Sequence, residues 1–313
     1  MLTNIAYYKF VPIENVQETR QKLFDYCCSL GLKGTIILGT EGINSCLVGT
    51  DENIDQFIQY MQLDSRFSDI HFKKSYSELV PFRRMIVKIK KEIIPIGFDW
   101  VKPHQKTAPH LEPMEFKKWY ENNKDMVVLD TRNDYEVEMG TFRNAVNPNL
   151  KEFKDFPQWI QQNFLQYKNK PVVTFCTGGI RCEKATAYMM EAGFQDVYQV
   201  KGGILNYFDE TLNHSPGQDN YYDGDCFVFD NRVAIDKNLK ETNYTICYHC
   251  WHTLKKEDLV HPNYNAAKHC HYCYDHVIKK QTQQNKKCAE NNLRAFEIRK
   301  QRAAEVKAQL GLR

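Results

Sequence analysis

Cys176 is the residue of this 313-residue chain whose surroundings most clearly favour chemistry. It follows an apolar, β-branched run, Pro171 to Phe175, which predicts a strand, and it precedes a loop with two glycines and an arginine, Thr177 to Arg181. A helix-forming segment, Ala185 to Ala192, comes next. Loop amides and a helix N-terminus would then point their N–H dipoles at the cysteine sulfur, which favours an anion. A thiol in that place ionises readily, so Cys176 is predicted to be a reactive nucleophile or redox centre. The alternative is a buried structural cysteine.

Arg181 is predicted to be catalytic together with Cys176, and three further residues are predicted to support the loop. Arg181 either holds an anion, such as a persulfide, a phosphate or an oxyanion, or ties the loop to a neighbouring carboxylate. Cys182 is either a resolving thiol or a small buried residue at the helix start. Asp130 and Arg132 end an earlier strand, where a paired charge would fix the neighbouring turns.

A second group of cysteines has the spacing of a metal site. Two C-x₂-C pairs, Cys247 with Cys250 and Cys270 with Cys273, are separated by nineteen residues. This pattern is typical of a four-cysteine zinc ribbon, in which thiolates close a tetrahedral site. Six of the ten histidines lie between His249 and His276, so one of them is an alternative ligand. A closed site has no open position for catalysis, so a structural role or a role in RNA docking is expected.

Composition limits the class of protein. Eleven cysteines, an odd number, indicate a reducing compartment, and the cytoplasm is the expected location. No apolar run approaches the roughly 20 residues of a membrane span, and Met1 to Asn4 does not begin a signal peptide. The net charge is +3, but residues 277–313 hold ten Lys or Arg against three Glu. This basic tail is either an arm for RNA, with no DNA expected, or a solvated helix over Ala289 to Leu310.

The predicted elements describe an α/β chain with an α+β N-terminal unit. Strands over Asn4–Phe10, Gly34–Gly39, Ile43–Val48 and Ile70–Lys74, with helices over Ile13–Leu30 and Asn53–Met61, give the ferredoxin-like order β-α-β-β-α-β. Met85 to Ile96 adds an extended stretch. From Pro113, helices and strands alternate, which predicts a parallel sheet with helices on both faces and with Cys176 beyond a strand's carboxyl end. A short strand, Cys226 to Phe229, follows. The predicted domains are 1–100, a linker 101–112, 113–217, 218–278 and a basic helical tail 279–313.

Several motifs in the second domain resemble a rhodanese domain. They are Val127 to Arg132, Tyr135-Glu136, Gly140 to Phe142, and Val197 to Val200 followed by Lys201 to Ile204. The loop from Cys176 to Arg181 has six residues, the length found in sulfur-handling rhodaneses. Phosphatase relatives of that fold have one residue more, so phosphatase chemistry is not expected.

The resemblance extends to one family of rhodanese-homology proteins, the bacterial tRNA uridine hydroxylases that make 5-hydroxyuridine at the wobble position. It is carried by Tyr7 to Phe10, Gly31 to Ile36, Glu41 to Asn44, Phe82 to Arg84, Val87 to Ile93 and Cys176 to Ala185. Ser45-Cys46 departs from a small Gly-Thr pair that is frequent in the family, and Lys102 to His110 matches loosely. The resemblance implies an oxidoreductase that acts on the tRNA anticodon loop, with molecular oxygen as co-substrate and Cys176 as its active cysteine.

RNA contacts are predicted on two surfaces. Tyr7, Tyr8, Arg83 and Arg84 are candidates on the ferredoxin-like sheet, where exposed aromatic rings can stack on splayed bases. Lys184 and Lys201 flank the mouth of the Cys176 loop and are candidates for phosphate contact.

Two other functions remain open from the sequence. The loop length alone favours a sulfurtransferase that carries a persulfide on Cys176, acting with thiosulfate or in tRNA thiolation. The zinc ribbon and the basic tail alone fit a non-catalytic RNA-binding adaptor. No nucleotide-phosphate loop, dinucleotide fingerprint or iron-binding triad stands out, so zinc is the one cofactor predicted, and the route of oxygen activation is left open.

Overall fold

A computed structural model describes residues 1–78, 80–247, 249–250, 252–283, 287, 290 and 294. The chain forms two compact units, Met1–Asn243 and Tyr244–Arg313. The predicted tail helix, residues 289–310, falls outside the described residues except at positions 290 and 294. None of the described helices combines the length and the apolar character that a membrane crossing requires.

The first part of unit 1 is a five-stranded sheet covered by two helices. Its elements are β1 (Leu2–Phe10), α1 (Val16–Ser29), β2 (Lys33–Gly39), β3 (Gly42–Gly49), α2 (Asp51–Leu63), β4 (Lys73–Ser77) and β5 (Met85–Ile89). The strand order is β4-β1-β3-β2-β5, antiparallel except for β2 beside β5. The predicted β-α-β-β-α-β order of a ferredoxin-like fold is confirmed.

Alternation along β1 decides which side chains reach the helices. Ile5 and Tyr7 are buried in one core with Leu23 of α1 and Phe57 of α2. Because successive strand residues point to opposite faces, Tyr8 lies on the face away from these helices.

Two of the predicted strands are shifted or shortened. The predicted strand over Ile70–Lys74 is observed at Lys73–Ser77, because that polar segment pairs with Leu2 to Ala6 at the sheet edge while Ile70 packs into the core as part of a loop. The extended stretch from Met85 ends at Ile89 rather than at Ile96.

The second part of unit 1 is a four-stranded parallel sheet in the order β6-β10-β9-β7. Its elements are β6 (His110–Leu111), α3 (Pro113–Glu121), β7 (Val127–Asp130), α4 (Asp134–Val137), β8 (Gly140–Phe142), α5 (Phe156–Asn163), β9 (Val172–Phe175), α6 (Ile180–Glu191), β10 (Val197–Val200) and α7 (Gly203–His214). Alternate residues of β7 and β9 point to two cores, one shared with α5 and α6 and the other with α3 and α7. The predicted parallel sheet with helices on both faces is confirmed. Helix α7 was not predicted, because its two leading glycines resemble a simple turn.

Residues after α7 remain with unit 1 as far as Asn243. Strand β11 (Tyr222–Gly224) pairs with β8, and β12 (Cys226–Phe227) pairs with β13 (Ala234–Ile235) in a short hairpin. Unit 2 begins at Tyr244 and has a hairpin of β14 (Thr245–Ile246) and β15 (Thr253–Leu254), followed by α8 (Lys256–Leu259). The segment expected as one domain, 218–278, is therefore divided between the two units.

Candidate active site and cysteine cluster

Cys176 lies directly after β9 and is 1% exposed. The backbone N–H of Gly179 donates to its Sγ at 3.1 Å. Gly179 has φ +100° and precedes the first residue of α6, so the helix begins inside the loop, earlier than the predicted Ala185. The left-handed backbone at Gly179 turns successive amides toward the sulfur, as the glycine pattern predicted.

The two cysteines of this loop have opposite pKa shifts. Burial raises the pKa of Cys176, but the hydrogen bond with Cys182, the charge of Arg181 and the N–H groups of Arg181 and Gly179 bring it well below its usual value. Burial and the hydrogen bond to Cys176 hold the pKa of Cys182 far above its usual value. Cys176 is therefore the thiolate of the pair, and Cys182 is the thiol that donates to it.

Arg181 is tied to a carboxylate. Its Nη1 and Nη2 atoms donate to Oε2 and Oε1 of Glu136 at 2.5 and 2.7 Å, and both side chains are buried. Burial alone would raise the pKa of Glu136, but the Arg181 guanidinium keeps it below its usual value. Of the two roles predicted for Arg181, this geometry matches the second, in which it ties the loop to a neighbouring carboxylate.

Asp130 and Arg132 form a buried pair of their own. The Arg132 guanidinium donates to both carboxylate oxygens of Asp130 and, at 2.6 Å, to the carbonyl of Gly140. The Thr141 hydroxyl donates to Asp130 at 2.8 Å. The pair thus fixes the start of β8, which agrees with the predicted turn-fixing role.

Helix α7 contacts the carbonyl groups of the Cys176 loop. The N–H groups of Ile204 and Leu205 donate to the carbonyls of Cys176 and Thr177 at 2.9 and 3.1 Å. Gly203 has φ +68°, and a Cβ there would lie 2.4 Å from the Cys176 carbonyl oxygen. Glycine at position 203 is therefore needed for this close approach.

Side chains of the first sheet cover the loop. The Tyr8 hydroxyl donates to Oε1 of Glu183 at 3.1 Å, and a Cβ on Gly179 would lie 2.8 Å from that hydroxyl. Glu183 also accepts from Thr107 and Gln199 and lies 3.1 Å from Nε2 of His110. Tyr8 therefore packs on the loop itself, which brings part of the predicted RNA-contact surface to Cys176.

Two of the residues predicted to contact RNA are buried, which corrects those predictions. Tyr7 is 2% exposed and packs against Phe57 and Phe72, because its strand position faces the helices. Lys184 is 1% exposed, and its Nζ contacts Glu41 at 2.9 Å and Glu92 at 2.6 Å. The predicted Glu41 turn thus anchors α6 through a buried cation.

The other RNA candidates are accessible. Arg83 and Arg84 are exposed beside β5, and Lys201 is exposed with its Nζ 2.6 Å from Glu112. A cavity of about 460 Å³ opens beside the loop between the two sheets of unit 1. Its lining includes Tyr8, His71, Lys73, His104, Glu183 and Lys201.

The four cysteines predicted as metal ligands come together in unit 2. Their sulfur atoms all lie within 4.8 Å of one another, with contacts of 3.9 Å for Cys247–Cys273, 3.6 Å for Cys250–Cys270 and 3.8 Å for Cys270–Cys273. A tetrahedral zinc with Zn–S bonds of about 2.3 Å separates its sulfurs by about 3.8 Å. The four thiols therefore fit a closed zinc site.

The sequence reasoning missed the partners of the loop. Glu136, Glu183 and Lys73 lie at the site but were not singled out for it. Glu136 and Glu183 belong to motifs that carry the family resemblance. Their places in those motifs could have marked them as site residues. Lys73 carries no local signal, because only the pairing of β4 with β1 brings it to the loop.

Comparison with known proteins agrees with this architecture. Residues 2–93 match the family model of the UPF0176 acylphosphatase like domain, and residues 112–210 match that of the rhodanese-like domain. A protein of Cupriavidus metallidurans named tRNA uridine(34) hydroxylase is 42% identical over 279 residues, which cover 88% of this chain and 97% of the relative.

Solved structures resemble single parts of the chain. A rhodanese-like domain of an Anabaena protein is 18% identical with a TM-score of 0.29, covering 33% of this chain and 76% of that one. A rhodanese-related protein of Thermoplasma volcanium is 22% identical with a TM-score of 0.27, covering 33% and 93%.

Proposed function

The chain belongs to the family of tRNA uridine(34) hydroxylases, and we propose that it uses Cys176 to hydroxylate C5 of the wobble uridine of tRNA. Molecular oxygen is the co-substrate, which makes the protein an oxidoreductase. The observation that supports a catalytic Cys176 is its place in the loop, where amides, Arg181 and Cys182 favour the thiolate. A tRNA substrate implies action in the cytoplasm.

The Cys176 thiolate has a defined task in this proposal. Its sulfur adds to the electron-poor C6 of uracil, forming an S–C6 bond, and the C5–C6 π electrons move toward O4 as an enolate. C5 becomes electron-rich in this adduct and bonds to one oxygen atom of O2, while the second oxygen atom leaves as water with two electrons and two protons from an external thiol reductant. Loss of the C5 proton and of the Cys176 thiolate from C6 then restores the C5–C6 double bond and frees the cysteine. Cys182 keeps its proton and donates to Cys176 before the attack.

Access to the sulfur requires local movement. Cys176 is 1% exposed, and Tyr8 packs on Gly179 above the loop. An unstacked wobble base entering the cavity of about 460 Å³ reaches the sulfur when the Tyr8 ring turns away. Single-stranded loops present bases in this splayed form, so the anticodon loop is the proposed partner.

The zinc proposed for unit 2 has a separate role. Cys247, Cys250, Cys270 and Cys273 would hold it, and a closed thiolate site supplies folding free energy to the segment around it. No position is left open for substrate in a four-thiolate site, so unit 2 is proposed to dock RNA.

The test is production of the chain in bacterial cells that lack 5-hydroxyuridine in tRNA. Nucleosides of purified tRNA are measured by mass spectrometry, with Cys176→Ser as the inactive variant and Cys28→Ser, at an exposed cysteine, as the matched control. We expect 5-hydroxyuridine with the wild type and the control alone. Its absence with the folded wild-type protein contradicts the proposal, and wild-type levels of 5-hydroxyuridine with Cys176→Ser contradict a catalytic role for Cys176.

A persulfide-carrying sulfurtransferase is the second candidate, favoured by the six-residue loop and its amide contact to Sγ. Incubation with thiosulfate followed by intact-mass measurement separates the two functions. A stoichiometric gain of one sulfur with turnover to cyanide or tRNA supports sulfur transfer, whereas the hydroxylase is expected to show no such turnover.

A further inference from the structure

The Arg181 guanidinium lowers the pKa of Cys176, but its own charge is paired with a carboxylate. The Arg181 guanidinium is in bidentate contact with Glu136, and both groups are buried. Such a pair is a dipole without net charge, so it stabilises a nearby thiolate less than an isolated cation does. Another cation near the loop would therefore have a large effect on the thiolate.

The pleat of the first sheet places Lys73 over the catalytic loop. Lys73 of β4 pairs with Ala6, and Ala6 pairs with Cys46 on the other side, so these three residues share the face that carries Tyr8. Lys74 pairs with Ile5 on the helix-covered face, and its Nζ contacts Asp55 of α2 at 2.8 Å. Neighbouring lysines of one strand are thus sorted to opposite faces.

Three contacts locate the Lys73 side chain. Its Nζ lies 5.0 Å from the centroid of the Tyr8 ring, and its Cε would be 3.2 Å from a Cβ on Gly202. The Tyr8 hydroxyl and the Cα of Gly202 would both lie within 3.6 Å of a Cβ on Gly179, whose N–H donates to Cys176. The Lys73 stem is therefore held between Tyr8 and the turn behind the catalytic loop.

Lys73 has no fixed anionic partner in the described part of the chain. No hydrogen bond or ion pair involves its ammonium among the described residues, although its pKa reflects the charges of Cys176, Cys46 and Glu183. Burial lowers the pKa of Lys73 to about 8, and attraction to Cys176, then to Cys46 and Glu183, opposes that shift. At neutral pH the group is mostly a cation.

We propose that Lys73 is a second cation, beside Arg181, that stabilises the Cys176 thiolate, so that the first sheet contributes directly to the electrostatics of this cysteine. This inference deepens the proposed function but depends only on the ionisation of Cys176. Lys73 acts as a positioning residue through its charge, and Cys176 is the group that reacts. The ammonium on the Tyr8 ring gains a cation–π contact that keeps it over the loop.

The test measures the thiolate without tRNA or oxygen. Iodoacetamide alkylation of Cys176 is followed by peptide mass spectrometry across pH in the full chain, for the wild type, Lys73→Met, Lys73→Arg and the control Lys74→Met. We expect Lys73→Met to move the midpoint upward by about one unit, because an opposite charge is removed. At pH values below both midpoints, the alkylation rate of Lys73→Met is expected to be about tenfold lower than that of the wild type. Above both midpoints the two alkylation rates converge. Lys73→Arg keeps the positive charge, so its alkylation midpoint is expected to lie close to that of the wild type. Lys74→Met is expected to leave the midpoint unchanged.

Several outcomes overturn the proposal. They are an unchanged midpoint in folded Lys73→Met, or an equal shift in Lys74→Met. Loss of tRNA affinity in Lys73→Met with an unchanged midpoint assigns Lys73 to phosphate binding and also overturns it. If Lys73→Met does not fold, Lys73→Gln is measured in its place with the same expectation. Failure of uridine hydroxylation leaves the alkylation midpoint unaffected, so the two proposals fail separately.

Discussion

The chain holds two cysteine sites that stabilise a thiolate in different ways. At Cys176 one sulfur receives an N–H from Gly179 and lies near Arg181, all within unit 1. In unit 2 four sulfurs lie within 4.8 Å of one another. Four thiolates at that spacing repel one another strongly, so their common ionisation requires a divalent cation.

The difference determines which sulfur is free to react. Peptide dipoles stabilise the charge at Cys176 without forming a bond to it, so the thiolate remains a nucleophile. A metal would use each sulfur of the cluster as a ligand and leave none available. In the proposed function, residues of one type thus take a reactive or a structural role according to what surrounds them.

The largest expected effect is at Cys176. Replacing Cys176 with Ser removes the nucleophile, and we expect 5-hydroxyuridine formation to fall on the order of 10³-fold or more. Zinc content, measured by atomic emission on the same preparation, should not change. Loss of zinc together with activity would contradict the separation of the two sites.

The converse variant is Cys247→Ser. Removing one of four ligands opens the site, so we expect bound zinc to fall from about one per chain to a small fraction, with local unfolding of unit 2. The alkylation midpoint of Cys176 should remain that of the wild type, because its partners lie in unit 1. Wild-type protein prepared without chelators that contains no zinc would show that the cluster is not a zinc site.

The next effect concerns the buried pair behind the loop. Glu136→Gln leaves the Arg181 guanidinium buried without a counter-charge, which should lower the free energy of unfolding by about 3–5 kcal/mol. Denaturant unfolding measures this change. Glu152→Gln, which breaks an exposed pair with Lys154, is the matched control and should leave the denaturant midpoint of unfolding unchanged.

The lowered pKa of Glu136 predicts that the free energy of unfolding depends on pH. The pKa of Glu136 is lowered in the folded protein, so its contribution is complete above the unfolded value of about 4.3 and is lost as pH falls through the folded value. Wild-type stability should therefore drop in acid, and Glu136→Gln should show a flatter acid limb. Equal slopes for both proteins would exclude Glu136 as a source of the acid sensitivity.

The sequence predicted the features that are formed by residues close together in the chain. The strand-loop-helix run at Cys176 and the two C-x₂-C pairs depend on local spacing, and the structure brings each group together as predicted. Lys73 and the buried ion pairs of Arg181 and Lys184 depend on partners far along the chain.

The errors over exposure have a related cause. Tyr7 and Tyr8 are adjacent aromatic residues, and only the packing of α1 and α2 decides which of them is buried. Lys184 was expected at the surface, because lysine usually is, but two carboxylates from the first sheet's loops meet it. Local pattern identified the candidate sulfur of Cys176, whereas the tertiary fold determined which charges surround it.

The smallest expected effect is on RNA binding by the basic tail, residues 279–313. If its Lys and Arg residues contact phosphates, truncation after Ile278 removes counterion release, with a slope of roughly −0.7 per contact on single strands. Losing three or four contacts should flatten the dependence of log affinity on log salt by about two to three units, while uridine recognition persists. Binding of tRNA is measured at several salt concentrations beside Arg83→Gln/Arg84→Gln, a change of two exposed charges in unit 1. An unchanged slope after truncation, with a flatter slope for the arginine variant, would place the phosphate contacts on unit 1 and leave the tail as a solvated segment.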